Sequence, residues 1–154
     1  LQFLRYAFGS MGLNDGAADI HEAKSVTEKF VATHKPSVEW DIDTDHLSYS
    51  HARLMMNLLL MGMEAAPRGG VLTVRFRNDA AGLVIAVIAR GVKAKAKPDT
   101  RAALAGNEPD EGWTPRNVQP LFSKMIAEGL GGRISIAEGD EIVTITAEGI
   151  RAAG

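Results

Sequence analysis

Apolar positions along this chain recur first at helical and then at strand spacing, and the changes of period mark out its elements. Leu1, Leu4, Phe8 and Met11 fall at helical spacing, with Gln2 and Arg5 on a different face. Gly9, Gly12 and Gly16 loosen that pattern, and Asn14-Asp15-Gly16 reads as a turn. A second helix is predicted from about Asp19, as N-cap, to Thr33, with Ile20, Ala23, Val26 and Phe30 on its apolar face. Pro36 ends it, and residues 38–42 alternate as a short strand with Trp40 opposite in phase. Ser48 or Ser50 caps the next helix, which runs through Leu54, Met55, Leu58, Leu59, Met61 and Met63. Apolar residues surround it on nearly all sides, which predicts burial.

Pro67-Arg68-Gly69-Gly70 stops that helix, and residues 71–77 and 83–89 follow as strands joined around Asn78-Asp79. Residues 91–115 read as a long irregular stretch, a length usual for functional or mobile loops. Val118, Leu121, Phe122, Met125 and Ile126 predict an amphipathic helix that Gly129 closes as a C-cap. Residues 133–137 and 142–146 form a hairpin through Glu138-Gly139-Asp140. After residue 18 the order is helix, strand, helix, two strands, helix, two strands. This order predicts an α/β fold, a two-layer sandwich with helices on one face of a mixed sheet.

Composition narrows the function classes. A chain of 154 residues with 45% hydrophobic content supports one domain, with a short attached element at most. A net charge of −2 gives no electrostatic reason to expect nucleic acid or an anionic membrane as partner. The absence of cysteine excludes disulfides and thiolate metal sites. Apolar stretches such as 83–89 are too short to cross a bilayer, and the opening residues carry no signal-peptide pattern. A cytoplasmic protein is the economical expectation. The chain opens on Leu1 inside an apolar helical pattern, as the remainder of something longer would.

Asn57-Leu58-Leu59-Leu60-Met61, followed by Pro67-Arg68-Gly69-Gly70 and the strand 71–77, resembles the Asn-box helix of histidine-kinase ATP domains. Gly131-Gly132-Arg133-Ile134, leading into the last hairpin, looks like the end of the same Bergerat-type fold. The opening Leu1-Gln2-Phe3-Leu4-Arg5 through Ala7-Phe8-Gly9 resembles the ChpT-type histidine phosphotransferases more specifically. In that family it lies on the second helix of a dimerising hairpin. The resemblance implies residues 1–14 as that helix and 18–154 as a degenerate kinase-ATPase-like domain. It further implies a homodimer, with Leu1, Leu4 and Phe8 in a four-helix bundle.

Departures from the kinase pattern carry the functional expectation. In relatives that use ATP, a second Asn one helical turn after the first reaches Mg²⁺. Here Met61 holds that position, and a thioether is a poor ligand for a hard cation. The Asp-x-Gly turn that reads adenine aligns with Ala89-Arg90-Gly91, and losing its carboxylate removes a bond worth about 1.5–3 kcal/mol. The glycine-rich phosphate turn aligns near Asn117 and Gln119, beside Pro120, which has no N–H to offer. A combined loss of about 4 kcal/mol weakens binding roughly a thousandfold. Asn57, Met61, Ala89 and Gly91 thus line a degenerate nucleotide pocket, with no cofactor and no ATPase or autokinase activity expected.

The family's chemistry is phosphoryl relay. A histidine on the hairpin's first helix takes phosphate from one receiver domain and gives it to another. The resemblance places that histidine upstream of Leu1, leaving no catalytic residue within the chain. Response-regulator receiver domains and a hybrid histidine kinase are the implied partners, with Gln2 and Arg5 as candidate receiver contacts. His21-Glu22 is a weak alternative acceptor, and a solvated helix-face role suits His21 better. His34 suits a helix end. His46 and His51, near Asp43 and Asp45, lack the spacing of a helical zinc pair, so no metal is expected and capping roles are favoured.

Asn57 reads as a satisfied buried amide or a pocket relic, and the methionines at 55, 56, 61 and 63 as core filling. Lys93, Lys95 and Lys97 read as a solvated lid remnant or a contact for an acidic receiver face. Trp113 anchors that loop or touches a partner. The competing class is a non-catalytic binding module, an anti-sigma-like scaffold on the same fold. A His-Asp pair ahead of Leu1 favours relay over scaffold, and micromolar affinity for Mg·ATP would favour an active kinase.

Overall fold

The computed structural model describes residues 2–9, 16–44 and 47–152. Their elements are α1 (Gln2–Phe8), β1 (Ala17–Ala18), α2 (Ile20–Val31), β2 (Ser37–Ile42), β3 (Leu47–Ser48), α3 (Tyr49–Ala65), β4 (Val71–Asp79), β5 (Gly82–Arg90), α4 (Pro98–Leu104), α5 (Gln119–Gly129), β6 (Arg133–Gly139) and β7 (Ile142–Ile150). Five strands form one sheet in the order β2-β4-β5-β7-β6. Only β2 and β4 run parallel, and α3 lies in the crossover that such a pair requires.

Cross-strand register explains the core. Leu72, Ala89 and Val143 lie side by side, as do Val74, Val87 and Ile145, and then Phe76, Ile85 and Ala147. All nine are fully buried, and they form three layers on the face that α3 covers. Residues one step out of phase, such as Thr73, Arg75, Thr144 and Thr146, point to the other face. Helix and sheet approach closely: a Cβ at Gly62 would stand 2.8 Å from Val87 Cγ1. The predicted α/β two-layer sandwich with a mixed sheet is therefore the observed architecture.

α3 is buried around most of its circumference, as its pattern required. Of the two candidate caps it is Ser48 that serves. Its Oγ accepts from the His51 N–H at 3.1 Å, and His51 Nδ1 accepts from the Ser48 N–H at 3.5 Å. With Nδ1 accepting, Nε2 carries the proton and donates to the Arg151 carbonyl at 2.7 Å, tying the chain after β7 to the start of α3. Asp19 caps α2 as expected, accepting from the His21 and Glu22 N–H groups.

The structure corrects four local expectations. A short antiparallel pair, β1 with β3, was not legible, because two-residue strands have no period. The stretch 91–115 contains α4, which Pro98 opens. The two hairpins turn one or two residues later than expected, after Asp79 and after Gly139, and Glu141 takes a left-handed φ of 55°. The end of α5 is a Schellman motif. The Gly132 N–H donates to the Ala127 carbonyl at 2.9 Å and the Gly131 N–H to Glu128 at 3.0 Å, so Gly131, at φ 86°, is the left-handed residue rather than Gly129.

Candidate functional site

The interior of α3 places Asn57 at the junction of three helices. Its Nδ2 donates to the carbonyls of Ala7 and Arg53, both at 2.9 Å, and Gln119 Nε2 donates to its Oδ1 at 2.9 Å. Gln119 also reaches the Asn57 carbonyl and Ser123 Oγ. The fully buried amide thus links the end of α1 to the start of α5, and its bonding groups are all engaged inside the protein. Sequence reasoning missed Gln119 as its partner, because 62 residues separate the two.

Met61, one turn further along α3, and Ala89, near the end of β5, are buried with it. The segment after β5 closes over this region. The Ala94 N–H donates to the Gly91 carbonyl at 3.0 Å, and the Lys95 N–H to the Ala65 carbonyl at the end of α3 at 2.9 Å. Ala94 and Ala96 turn into the core while Lys93, Lys95 and Lys97 point to solvent, which accounts for their spacing of two. Ion pairs from Arg101 to Glu138 and from Lys97 to Glu64 hold the strap down.

Gly91 has a structural reason to be glycine, since a Cβ there would lie 2.2 Å from the Gly69 carbonyl oxygen. Gly70, at φ 125°, is tighter still, its Cβ 2.0 Å from the Arg90 carbonyl oxygen. The helix exit and the end of β5 are pressed together backbone to backbone.

A polar cleft of about 230 Å³ lies beside the strap, with Glu64, Lys97, Asp99 and Arg116 in its walls. Asn57, Met61, Ala89 and Gly91 do not line it. Asn117 is used within its own loop, accepting from the Thr114 N–H at 2.8 Å and donating to the Gly112 carbonyl at 2.9 Å. Pro120 sits in the first turn of α5. Met61 offers a thioether and Ala89 a methyl to their buried region, neither of them an oxygen ligand.

α1 has two apolar faces. Phe3, Tyr6 and Ala7 pack into the domain, while Gln2, Leu4, Arg5 and Phe8 face outward. Phe3 stacks on Phe30 with ring centroids 4.1 Å apart. The Tyr6 hydroxyl donates to Glu22 Oε1 at 3.1 Å. Burial, with that carboxylate beside it, pushes the phenol up to about 12. The inward triplet at i, i+3 and i+4 is a sequence signal that the stripe of Leu1, Leu4 and Phe8 obscured. Leu4 and Phe8 remain 38% and 44% exposed. Leu1, Met11, Asn14, Asp15, Asp45 and His46 lie outside the described residues.

α5 departs most from expectation. Its buried residues are Pro120, Ser123 and Ala127, whereas Met125 of the predicted apolar stripe is 61% exposed. Small side chains let α5 press against α3, Ile126 packs against the core, and Phe122 turns toward Phe8, with ring centroids 5.6 Å apart. The Arg53 guanidinium lies 4.8 Å from the centre of the Phe122 ring. Neither Arg53 nor this surface was foreseen.

His21 is exposed on the first turn of α2, and His34 is exposed at its end, bonded to the Phe30 carbonyl at 3.0 Å. Trp113 is partly exposed in the loop before α5. Among the described residues no group of three or more His, Asp or Glu side chains could hold a metal ion, and no helix is long and apolar enough to cross a membrane.

A family model described as the histidine phosphotransferase C-terminal domain matches residues 20–142. Protein phosphotransferase ChpT of Brucella abortus (strain 2308) is 30% identical over 148 residues, which cover 96% of this chain and 71% of that protein. A solved bacterial phosphotransferase superposes with a TM-score of 0.84 at 30% identity, covering 96% of this chain and 70% of that one. The catalytic domain of histidine kinase ThkA superposes with a TM-score of 0.64 at 12% identity, over 86% and 92% of the two chains, and shows the shared fold. The chain, with its histidine-kinase ATPase architecture, therefore belongs to the ChpT-type histidine phosphotransferases of two-component signalling.

Proposed function

We propose that the protein carries a phosphoryl group between response-regulator receiver domains and does so without binding ATP. The Asn57 amide is the observation that carries this reading. A nucleotide could engage it only by breaking its bonds to Ala7 and Gln119, and the gain would have to exceed their loss. Met61, Ala89 and the strap of Ala94 and Ala96 support the same conclusion, since all are packed into the core.

In this reading residues 1–14 belong to the second helix of a dimerising hairpin and residues 18–154 form the degenerate ATPase-like domain. The accepting histidine sits on the hairpin's first helix, ahead of Leu1, with His21 as the weaker alternative. Its imidazole nitrogen attacks phosphorus in a receiver's aspartyl phosphate, and the P–O bond to that Asp breaks as the carboxylate leaves. The reverse exchange passes the group to a second receiver, each receiver supplying its own Mg²⁺. A hybrid histidine kinase is the upstream source. The outward residues of α1 supply the remaining surfaces: Leu4 and Phe8, with Leu1, for the dimer bundle, and Gln2 and Arg5 for the receiver.

Incubating the full-length protein with a ³²P-labelled receiver tests this directly. Label should move to a histidine and then to a second receiver, and labelled ATP alone should leave none. Failure of the first transfer would refute the relay. Labelling by ATP, or micromolar affinity for Mg·ATP, would refute the loss of nucleotide use.

A further inference from the structure

Arg53 is the one residue of α3 that brings a full charge into the core region, and it is 9% exposed. Among the described residues its only hydrogen bond is a long one, from Nε to the Ala7 carbonyl at 3.4 Å, and no carboxylate stands within ion-pair reach. Desolvation consequently lowers its affinity for the proton. The terminal nitrogens, with four of the five N–H donors, have no hydrogen-bond partner among the described residues.

They open instead into a groove of about 310 Å³ between the start of α3 and the second half of α5, lined by Ser50, Phe122, Met125, Ile126 and Leu130. Met125 and Phe8 extend its apolar wall onto the surface. A cation with no counter-ion among the described residues, at the base of an apolar groove, selects a ligand that is anionic at one point and apolar around it. Phosphate or a nucleic-acid backbone would satisfy the charge but leave the apolar walls in water. An acidic protein segment satisfies both.

We propose that this groove docks an acidic segment of a protein partner, in which one carboxylate flanked by apolar side chains pairs with Arg53 while its neighbours cover Phe122 and Met125. Docking is independent of whether the protein binds ATP. The Phe122 ring, 4.8 Å from the guanidinium carbon, restrains the side chain, so pairing needs less reordering.

The test uses the full-length protein labelled with ¹³C at its methionine methyl groups, the Met125 signal being assigned from Met125→Leu. Two capped tripeptides serve as probes, acetyl-Leu-Glu-Leu-amide and acetyl-Leu-Gln-Leu-amide. The Glu peptide should shift the Met125 methyl with at least about tenfold tighter binding than the Gln peptide, as one charge-assisted contact provides. Arg53→Gln should abolish that preference. Equal binding of the two peptides, or no shift by either up to about 10 mM, the range of very weak contacts, would overturn the proposal. So would a Met125 shift that follows protein concentration alone, which assigns the groove to a second copy, or binding of 4-phenylbutyrate as tight as that of the Glu peptide. Both peptides act on the wild-type protein, so the comparison stands even if Arg53→Gln fails to fold.

Discussion

Asn57→Ala separates a structural amide from a relic of nucleotide binding. The substitution removes the donor to the Ala7 carbonyl and the acceptor of Gln119 Nε2, both bonds of 2.9 Å between buried groups. Gln119 keeps the Asn57 backbone carbonyl and Ser123 Oγ, so its loss is close to one ordinary bond, about 1 kcal/mol. Among the described residues Ala7 is left with only the long contact from Arg53, and an under-satisfied buried carbonyl costs about 1–3 kcal/mol. The expected sum is about 2–4 kcal/mol, a large part of a domain's total stability. Urea denaturation followed by tryptophan fluorescence should show a lower midpoint at unchanged slope. Hydrogen exchange should show the amides of α1 losing protection more than those of β5, because the lost bonds hold the end of α1. A stability within about 0.5 kcal/mol of wild type, the scatter of neutral surface changes, would refute the reasoning. So would an Asn57→Ala protein that lost a nucleotide affinity the wild type possessed.

Gly91→Ala should destabilise by about 2 kcal/mol or more in the same urea assay, because its Cβ would meet a backbone oxygen at 2.2 Å and neither strand end can yield. An unchanged midpoint would show that Gly91 is a remnant of the adenine turn without a structural duty. Tyr6, with its phenol raised from 10.0 to about 12, gives a pH prediction of definite sign. Its neutral form is favoured by folding, so its contribution is complete below about pH 10 and is lost as pH rises toward 12. A Tyr6→Phe protein should lose this part of the alkaline decline in stability, and phenolate absorbance should show a tyrosine that ionises only near the upper end of that window.

Legibility followed the range of the interaction. Asp19 and Ser48 were readable as caps because a cap bonds to amides two or three residues away. The long strands were readable because their alternation is local, and the burial of α3 because apolar residues surround its axis. The same logic failed at α5, where the larger hydrophobic side chains suggested the inward face. A helix packed closely against another buries its small residues, and only the neighbour's position says that Ser123 and Ala127 are those residues. At α1 two apolar faces compete, and sequence spacing cannot rank Leu4 and Phe8 against Phe3 and Tyr6.

By itself the sequence determined the α/β class, the three longer helices after residue 18 and the five strands of the main sheet, and the residue types at Met61 and Ala89. Those follow from residue type and near-neighbour spacing. Tertiary structure alone decided that Asn57 pairs with Gln119 and that Ala94 and Ala96 insert into the core. It alone decided, too, that Arg53 lines an apolar groove with no carboxylate of the described residues beside it. The reason is common to both: each depends on groups tens of residues apart meeting within a few ångströms, and backbone topology, not local pattern, brings them together.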